Sequence, residues 1–144
     1  MTRGCFAQAA LAYLRVPSLI QNLLDWLEQS RDHPLVKSCV FHYEFEFIHP
    51  FSDGNGRMGR LWQTMILHRR KPVFAHVPVE NMVYAHQEEY YQAINTSTEK
   101  TGAGIFTEFL LGVILKSLER GLIEMTIPDK PNSRLQKYRI KKAI

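Results

Sequence analysis

The sequence predicts an all-α domain. Three observations carry that reading: apolar residues recur at three- and four-residue steps along most of the chain, strict apolar–polar alternation is missing, and prolines and glycines cut the pattern into about five to six helices. With 144 residues, 45% of them hydrophobic, the chain is sized for one compact domain that buries a real core.

Taken in order, Ser18 followed by Gln21 reads as a capping box that opens a helix through Leu19, Ile20, Leu23, Leu24 and Leu27. Pro34 suits a first helical turn, and Leu35, Val36, Cys39, Val40, Tyr43 and Phe47 carry a second helix that stops just before His49. His49 precedes Pro50, whose ring disfavours the α conformation in the residue before it, so the histidine is expected on a loop. Met58, Leu61, Trp62, Met65 and Ile66 resume the helical step, with Gly54 to Gly56 at the start of a buried, central third helix and Lys71-Pro72 at its close. A connector containing Pro72 and Pro78 leads to a fourth helix from about Met82 to Ile94, with Asn81 as its cap. Gly102 to Gly104 then turn the chain into a fifth, whose apolar face runs through Ile105, Phe106, Phe109, Leu110, Val113, Ile114 and Leu118. Beyond Met125, prolines and dense charge predict a frayed tail over 126–144.

Several classes are excluded or disfavoured. The longest apolar run, Phe109 to Leu115, is far short of the roughly 18 residues of a membrane span, and the N-terminus lacks a basic-then-apolar export pattern. A cytoplasmic protein is expected, or one delivered into another cell as an effector. Cys5 and Cys39 are too few for a disulfide framework and have no metal-ligand spacing, so both are expected as reduced thiols, Cys39 in the core. The net charge of +4 owes part of its excess to Arg134, Lys137, Arg139, Lys141 and Lys142. That tail offers no base-reading geometry and no regular aromatic interleaving, which disfavours nucleic acid as a partner.

The twelve residues from His49 to Arg60, His-Pro-Phe-Ser-Asp-Gly-Asn-Gly-Arg-Met-Gly-Arg, concentrate chemistry. At a helix start the first N–H groups lack intrahelical acceptors and the macrodipole adds partial positive charge, so Gly54, Asn55 and Gly56 can hold phosphate oxygens. A plain turn would also use glycine here, but a plain turn does not call for the neighbours. Arg57 and Arg60 lie three apart on the first turn, where guanidinium groups oppose the dipole yet suit bidentate phosphate binding. Asp53 can cap the helix or serve as a hard oxygen ligand for a magnesium ion that also binds nucleotide. His49 can act as a general base on an acceptor hydroxyl. Phe51 reads as the hydrophobic anchor that tucks the loop into the core.

This stretch resembles the signature of the Fic family, His-x-Phe-x-(Asp/Glu)-Gly-Asn-Gly-Arg-x-x-Arg, with every defined position matched. The resemblance continues through the lead-in from His33-Pro34-Leu35 to Phe47. It also takes in Glu89-Tyr90-Tyr91-Gln92-Ala93-Ile94, similar to the family helix that lines the base pocket, so that it covers about Val16 to Leu118. It implies a compact helical Fic fold over 1–144, a single domain with its core at about 16–118 and a basic tail at 126–144. It further implies protein AMPylation: ATP as co-substrate, Mg2+ on Asp53, Arg57 and Arg60 on the β- and γ-phosphates, His49 as base, and a Tyr, Ser or Thr hydroxyl of a target protein as acceptor. Tyr90 or Tyr91 could stack on the base, Tyr91 being the candidate contact. Thr98 stands where some relatives place an asparagine.

Alternatives within the resemblance are removal of AMP from a modified protein, transfer of another moiety such as phosphocholine, and a non-catalytic module that binds nucleotide or a partner. Kinase-like relatives carry lysine where Gly56 stands, which argues against phosphate transfer. Met1 to Arg15 lack the strand-turn-strand pattern of the family's upstream flap. Glu80-Asn81 comes closest to the family's inhibitory (Ser/Thr)-x-x-x-Glu-(Gly/Asn) helix, but His76 occupies the Ser/Thr place and Pro78 interrupts. Either the inhibitory helix is absent, leaving Arg60 free and the domain constitutively active or restrained by an antitoxin-like chain, or the sequence is a fragment whose flap and inhibitory segment lay upstream, the reading favoured here; self-association is open in both.

Overall fold

In the computed structural model, residues 3–72, 74, 79–119, 123–125 and 138–140 are described. They form α1 (Arg3–Gln29), α2 (Pro34–Ile48), α3 (Asn55–Arg70), α4 (Val79–Ala85), α5 (Gln87–Glu99), α6 (Gly104–Glu119), β1 (Ile123–Met125) and β2 (Tyr138–Ile140). The domain is helical, as the periodicity predicts. None of these helices is long and apolar enough to cross a membrane.

Helix α2 is the hub, packed against α1, α3 and α6. One of its faces sends Phe41 and Phe45 toward Leu23 of α1, with Trp62 and Ile66 of α3 closing over them. The other sends Cys39 and Tyr43 into a larger cluster with Tyr90, Phe106, Leu110 and Ile114. A helix buried on two sides needs apolar or internally bonded residues nearly all round. Phe41 and Phe106, at 1% and 0% exposure, each contribute about 2 to 3 kcal/mol from burial alone. The Cys39 thiol is buried too, and desolvation pushes its pKa up to about 11, as expected of an inert core cysteine.

Three sequence expectations need correction. The first helix does not open at Ser18: α1 is continuous through Pro17, and Ser18 Oγ donates back to the Arg15 carbonyl at 2.8 Å instead of capping a helix. Gln21 bonds Asp25 one turn on at 2.8 Å, so the apparent capping box is two unrelated contacts. Residues before Pro17 are helical from Arg3, in keeping with their lack of a hairpin pattern. Second, the region foreseen as one helix from Met82 is two, and Asn81 lies inside α4 rather than at a cap. The chain breaks at His86, whose φ of −126° and ψ of 36° leave the helical region. Third, part of the stretch read as a frayed tail returns as β2, pairing antiparallel with β1 so that Glu124 faces Arg139. Among the basic tail residues, Arg134, Lys137, Lys141 and Lys142 lie outside the described residues, as do His76 and Pro78.

Helix α3 shows why periodicity alone misplaced its inner face. Its buried residues are Asn55, Gly59, Gln63 and Leu67, a stripe at four-residue steps that is mostly small or polar, while Leu61 and Met65 stay exposed. The stripe faces α2 at close range. A Cβ on Gly59 would stand 2.8 Å from His42 Cδ2 and 3.1 Å from Glu46 Oε1, closer than real contacts allow. Gly59→Ala is accordingly expected to lower unfolding free energy by about 1 to 3 kcal/mol through overpacking, although alanine is the better helix former. Urea denaturation of the pair measures it; equal stability would mean that the two helices are free to separate.

Candidate active site

The site grows from the junction of α2 and α3. Helix α2 begins at His33, whose Nδ1 accepts the Leu35 N–H at 3.3 Å, followed by Pro34 at the first position. It ends at His49 in the left-handed region, φ 53° and ψ 58°, with the His49 N–H still donating to the Phe45 carbonyl at 3.1 Å. A non-glycine residue held there carries backbone strain of order 1 kcal/mol, and Pro50 enforces the exit. The His49 ring is exposed and its Nδ1 lies 3.4 Å from the Glu46 carbonyl. With the Nδ1 hydrogen on that carbonyl, Nε2 keeps its lone pair for an incoming proton.

The loop from Pro50 to Gly54 is closed by Asn55. The Phe51 N–H donates to Asn55 Oδ1 at 2.9 Å, and Asn55 Nδ2 donates to the Phe51 carbonyl at 2.6 Å. That two-bond clasp, with Asn55 buried, locks the turn. Phe51 is therefore not the deep anchor expected of it: its ring is 46% exposed and rests against Phe45 on one side only. The polar side chain holds the loop, and the aromatic one leans on the core. Of Asn55, the backbone faces the helix start while the amide side chain is spent on the clasp.

Gly54 is the N-cap of α3, at φ 83°, a conformation that disfavours any side chain. Met58 is the first residue whose N–H reaches back to an intrahelical acceptor, Gly54 at 3.0 Å. Among the described residues, the N–H groups of Asn55, Gly56 and Arg57 have no acceptor, an arrangement that suits an anion. Asp53 does not cap the helix; its Oδ1 accepts the adjacent Gly54 N–H at 2.7 Å, and Oδ2 lies 3.4 Å from Arg57. The Asp53 side chain is 92% exposed and Arg57 is also open to solvent, so this pair is worth little to stability and both groups are available to a ligand.

Arg60 differs. Its side chain is 17% exposed, Nη2 donates to Glu80 of α4 at 2.9 Å, and Nε is buried with no acceptor at bonding distance. The sequence pattern made Glu80 only an imperfect match to a glutamate that meets this arginine, yet the fold brings the two together. Glu46, beneath the same helix turn, has a buried Oε1 without a donor; burial raises its pKa, and the charges of His49 and Arg60 oppose that rise. Tyr91 is 55% exposed on α5, edge-on to Tyr90, which is buried at 3%. Of the two tyrosines, only Tyr91 has a face for a ligand. Thr98 accepts or donates at Tyr43 across a 3.3 Å contact and bonds its own helix at Ile94.

Gly59, Glu46 and the buried His42 escaped the sequence reading. The available signal was Gly59, since a glycine inside a helix costs about 1 kcal/mol against alanine unless packing requires it. No cluster of three metal-binding side chains occurs among the described residues. Magnesium fits here only in shared form, with the single Asp53 carboxylate completed by phosphate oxygens and waters. A groove of about 780 Å³ between α1, α2 and α3 is lined by Leu24, Trp62 and Ile66 and ends at Arg69 and Arg70. Its lining does not include His49, Asp53, Arg57 or Arg60.

Two family descriptions match this chain. The Fic/DOC family matches residues 4–67, which contain the whole His49–Arg60 stretch, and the C-terminal domain of Filamentation induced by cAMP protein Fic-like matches residues 107–141. The chain is 36% identical over 96 residues to a probable protein adenylyltransferase of Aquifex aeolicus, covering 66% of itself and 27% of that protein. It is 37% identical over 75 residues to the protein adenylyltransferase Fic of Nematostella vectensis, covering 49% and 16%. A crystal structure of a Fic family protein from Desulfovibrio desulfuricans superposes with a TM-score of 0.68 at 38% identity, over 91% of this chain and 56% of that one. The chain thus spans well under two thirds of each relative's length.

The buried imidazole at the centre of the site gives a pH test. Burial lowers the His42 pKa from 6.5 to about 4, against a raising contribution from the Gln63 hydrogen bond and a further lowering by Arg60. Between those values the unfolded chain binds the extra proton and the folded chain does not. Stability is therefore expected to be full above pH 6.5 and to fall as pH drops toward 4, by of order 3 kcal/mol if this group acts alone. Denaturation midpoints across that window in the native chain and in His42→Gln check it; the variant should show the shallower slope.

Proposed function

We propose that this chain is a Fic-family protein adenylyltransferase that transfers AMP from ATP to a Tyr, Ser or Thr hydroxyl of a target protein. The observation that supports it most is the junction itself: an exposed imidazole with a free nitrogen sits five residues before a helix start that offers three unpaired N–H groups and two arginines. The names of the relatives point the same way. Three groups with separate tasks meet there, and none of those tasks is needed for folding.

In this reading neutral His49 accepts the proton of the acceptor hydroxyl at Nε2. The hydroxyl oxygen forms a bond to the α-phosphorus, the bond from that phosphorus to the bridging oxygen breaks, and pyrophosphate leaves. The N–H groups of Asn55, Gly56 and Arg57 hold phosphate oxygens; Arg57 and Arg60 take charge that grows on the leaving pyrophosphate. Such positioning and preorganised charge carry most of the acceleration in phosphoryl chemistry. A Mg2+ ion held by Asp53 and the nucleotide would supply further charge neutralisation on the phosphates. Phosphate reaching Arg60 must displace Glu80. The exposed face of Tyr91 offers the base an aromatic platform. A cytoplasmic site of reaction, in this cell or in a recipient, is part of this reading.

Incubation with Mg2+ and ATP labelled at the α-phosphate is expected to label protein, and label at the γ-phosphate is not. His49→Ala should lower the labelling rate by about 10²- to 10⁴-fold while nucleotide affinity, read by calorimetry, stays within about twofold. Equal labelling by the variant would remove His49 from the chemistry. Nucleotide binding without labelling of any protein would leave a binding module.

A further inference from the structure

Neither the packing of the core nor the proposed chemistry accounts for Glu46. Its side chain is 14% exposed, and its Oε1 is buried with no hydrogen-bond partner among the described residues. A buried carboxylate without a donor is costly unless a proton or a nearby cation neutralises it. Its surroundings offer little positive charge. On its own helix, His42 Nε2 lies 3.9 Å away, but burial lowers the pKa of that imidazole to about 4 and leaves it uncharged near neutral pH. His49 stands at the end of the same helix. From α5 comes the uncharged Tyr90 hydroxyl, 3.1 Å from the same Nε2. Helix α3 contributes Arg60, which is itself paired with Glu80 of α4 at 2.9 Å.

Two glycines of α3 decide where this carboxyl fits. Glu46 Oε1 stands 3.1 Å from where a Cβ on Gly59 would be and 3.5 Å from where one on Gly56 would be. Arg60 Nη1 stands 3.0 Å from that same Gly56 position. The carboxyl and the guanidinium therefore share the space that Gly56 leaves open. Gly56 also carries one of the three N–H groups that lack an acceptor among the described residues. An acid is thus placed beside a helix start that suits an anion, in a setting where water screens the two charges poorly.

We propose that Glu46 couples phosphate binding at the start of α3 to the uptake of one proton, the carboxylate weakening the hold on phosphate and the protonated carboxyl allowing a tight one. The proposal rests on the reading of residues 54–60 as a phosphate site. An arriving phosphate acts on Glu46 twice. Its negative charge opposes the carboxylate across Gly56, and by engaging Arg60 it takes up the positive charge that had favoured that carboxylate. Both effects draw a proton from solvent onto Glu46. Burial already raises the Glu46 pKa, against the charges of His49 and Arg60, and bound phosphate raises it further. The complex then holds more protons than the free chain, so affinity is greatest at low pH and is lost as pH rises through the interval between the two pKa values. Pyrophosphate meets the same groups as it leaves, so the carboxylate also limits how firmly product is retained.

Glu46→Gln keeps the shape of the side chain and removes the charge without breaking a hydrogen bond at Oε1. Binding of magnesium pyrophosphate to the full chain is followed by calorimetry in buffers of different ionisation enthalpy. At about pH 6 the native chain is expected to take up more protons on binding than the variant does. At about pH 7.5 the variant should bind about tenfold more tightly than the native chain, narrowing to about twofold near pH 5.5, the effect of one charge removed from partly screened surroundings. Equal proton uptake by the two chains overturns the proposal. Weaker binding by the variant at every pH, the mark of a general loss of structure, overturns it too, as does a native chain that binds no pyrophosphate. Protein labelling judges the adenylyltransfer reading separately. Labelling together with equal proton uptake leaves that reading standing and removes this one, whereas proton-linked pyrophosphate binding without labelling keeps the coupling and removes the enzyme.

Discussion

The close approach of α2 and α3 is the constraint on which the rest of this structure depends. Two helices usually pack with side chains interleaved and axes about 8 to 10 Å apart. Here residue 59 has no side chain, and the imidazole of His42 fills the space that a Cβ would claim. Because the helices meet so tightly, the last turn of one and the first turn of the other are joined by only the five residues 50–54. The base at the end of α2 and the bare N–H groups at the start of α3 are thereby held together by a short stretch of main chain that the Asn55 side chain clasps.

Around that junction the charges are unequally committed. Asp53 and Arg57 are solvated and 3.4 Å apart, a contact that water screens and that a ligand displaces at little cost. Arg60 is mostly enclosed, so its charge is felt more strongly; Glu80 pairs with it at 2.9 Å, and the half-buried Glu46 carboxyl feels its charge from beneath. An arginine near a helix start works against the macrodipole. The fold tolerates it because the Glu80 carboxylate pairs with it and the Glu46 carboxyl lies within reach of its charge.

The fold class was legible because periodicity is a property of whole segments and survives local errors. Helices α2, α3 and α6 were each readable from their apolar steps, and the loop between α2 and α3 from Pro50 and the glycines. What escaped detection was set by contacts between distant residues. Ser18 and Gln21 have the spacing of a cap, yet Pro17 sits in a helix that packing carries across it. The inner stripe of α3 is polar and small, so a search for apolar residues picked the flanks. Phe51 looked like an anchor because aromatic rings bury well, but the buried clasp of Asn55 already holds the loop. The pairing of Glu80 with Arg60 spans 20 residues, and no local pattern announces it.

The partner of the His49 ring, a peptide carbonyl at residue 46 rather than a side chain, has a consequence for how this protein can vary. Twenty different amino acids at position 46 would supply that same oxygen. Drift in the side chain there can therefore retune the charge beneath α3 without turning the imidazole. The orientation of the ring is inherited from the course of the main chain, and only a change that redirects the end of α2 could undo it.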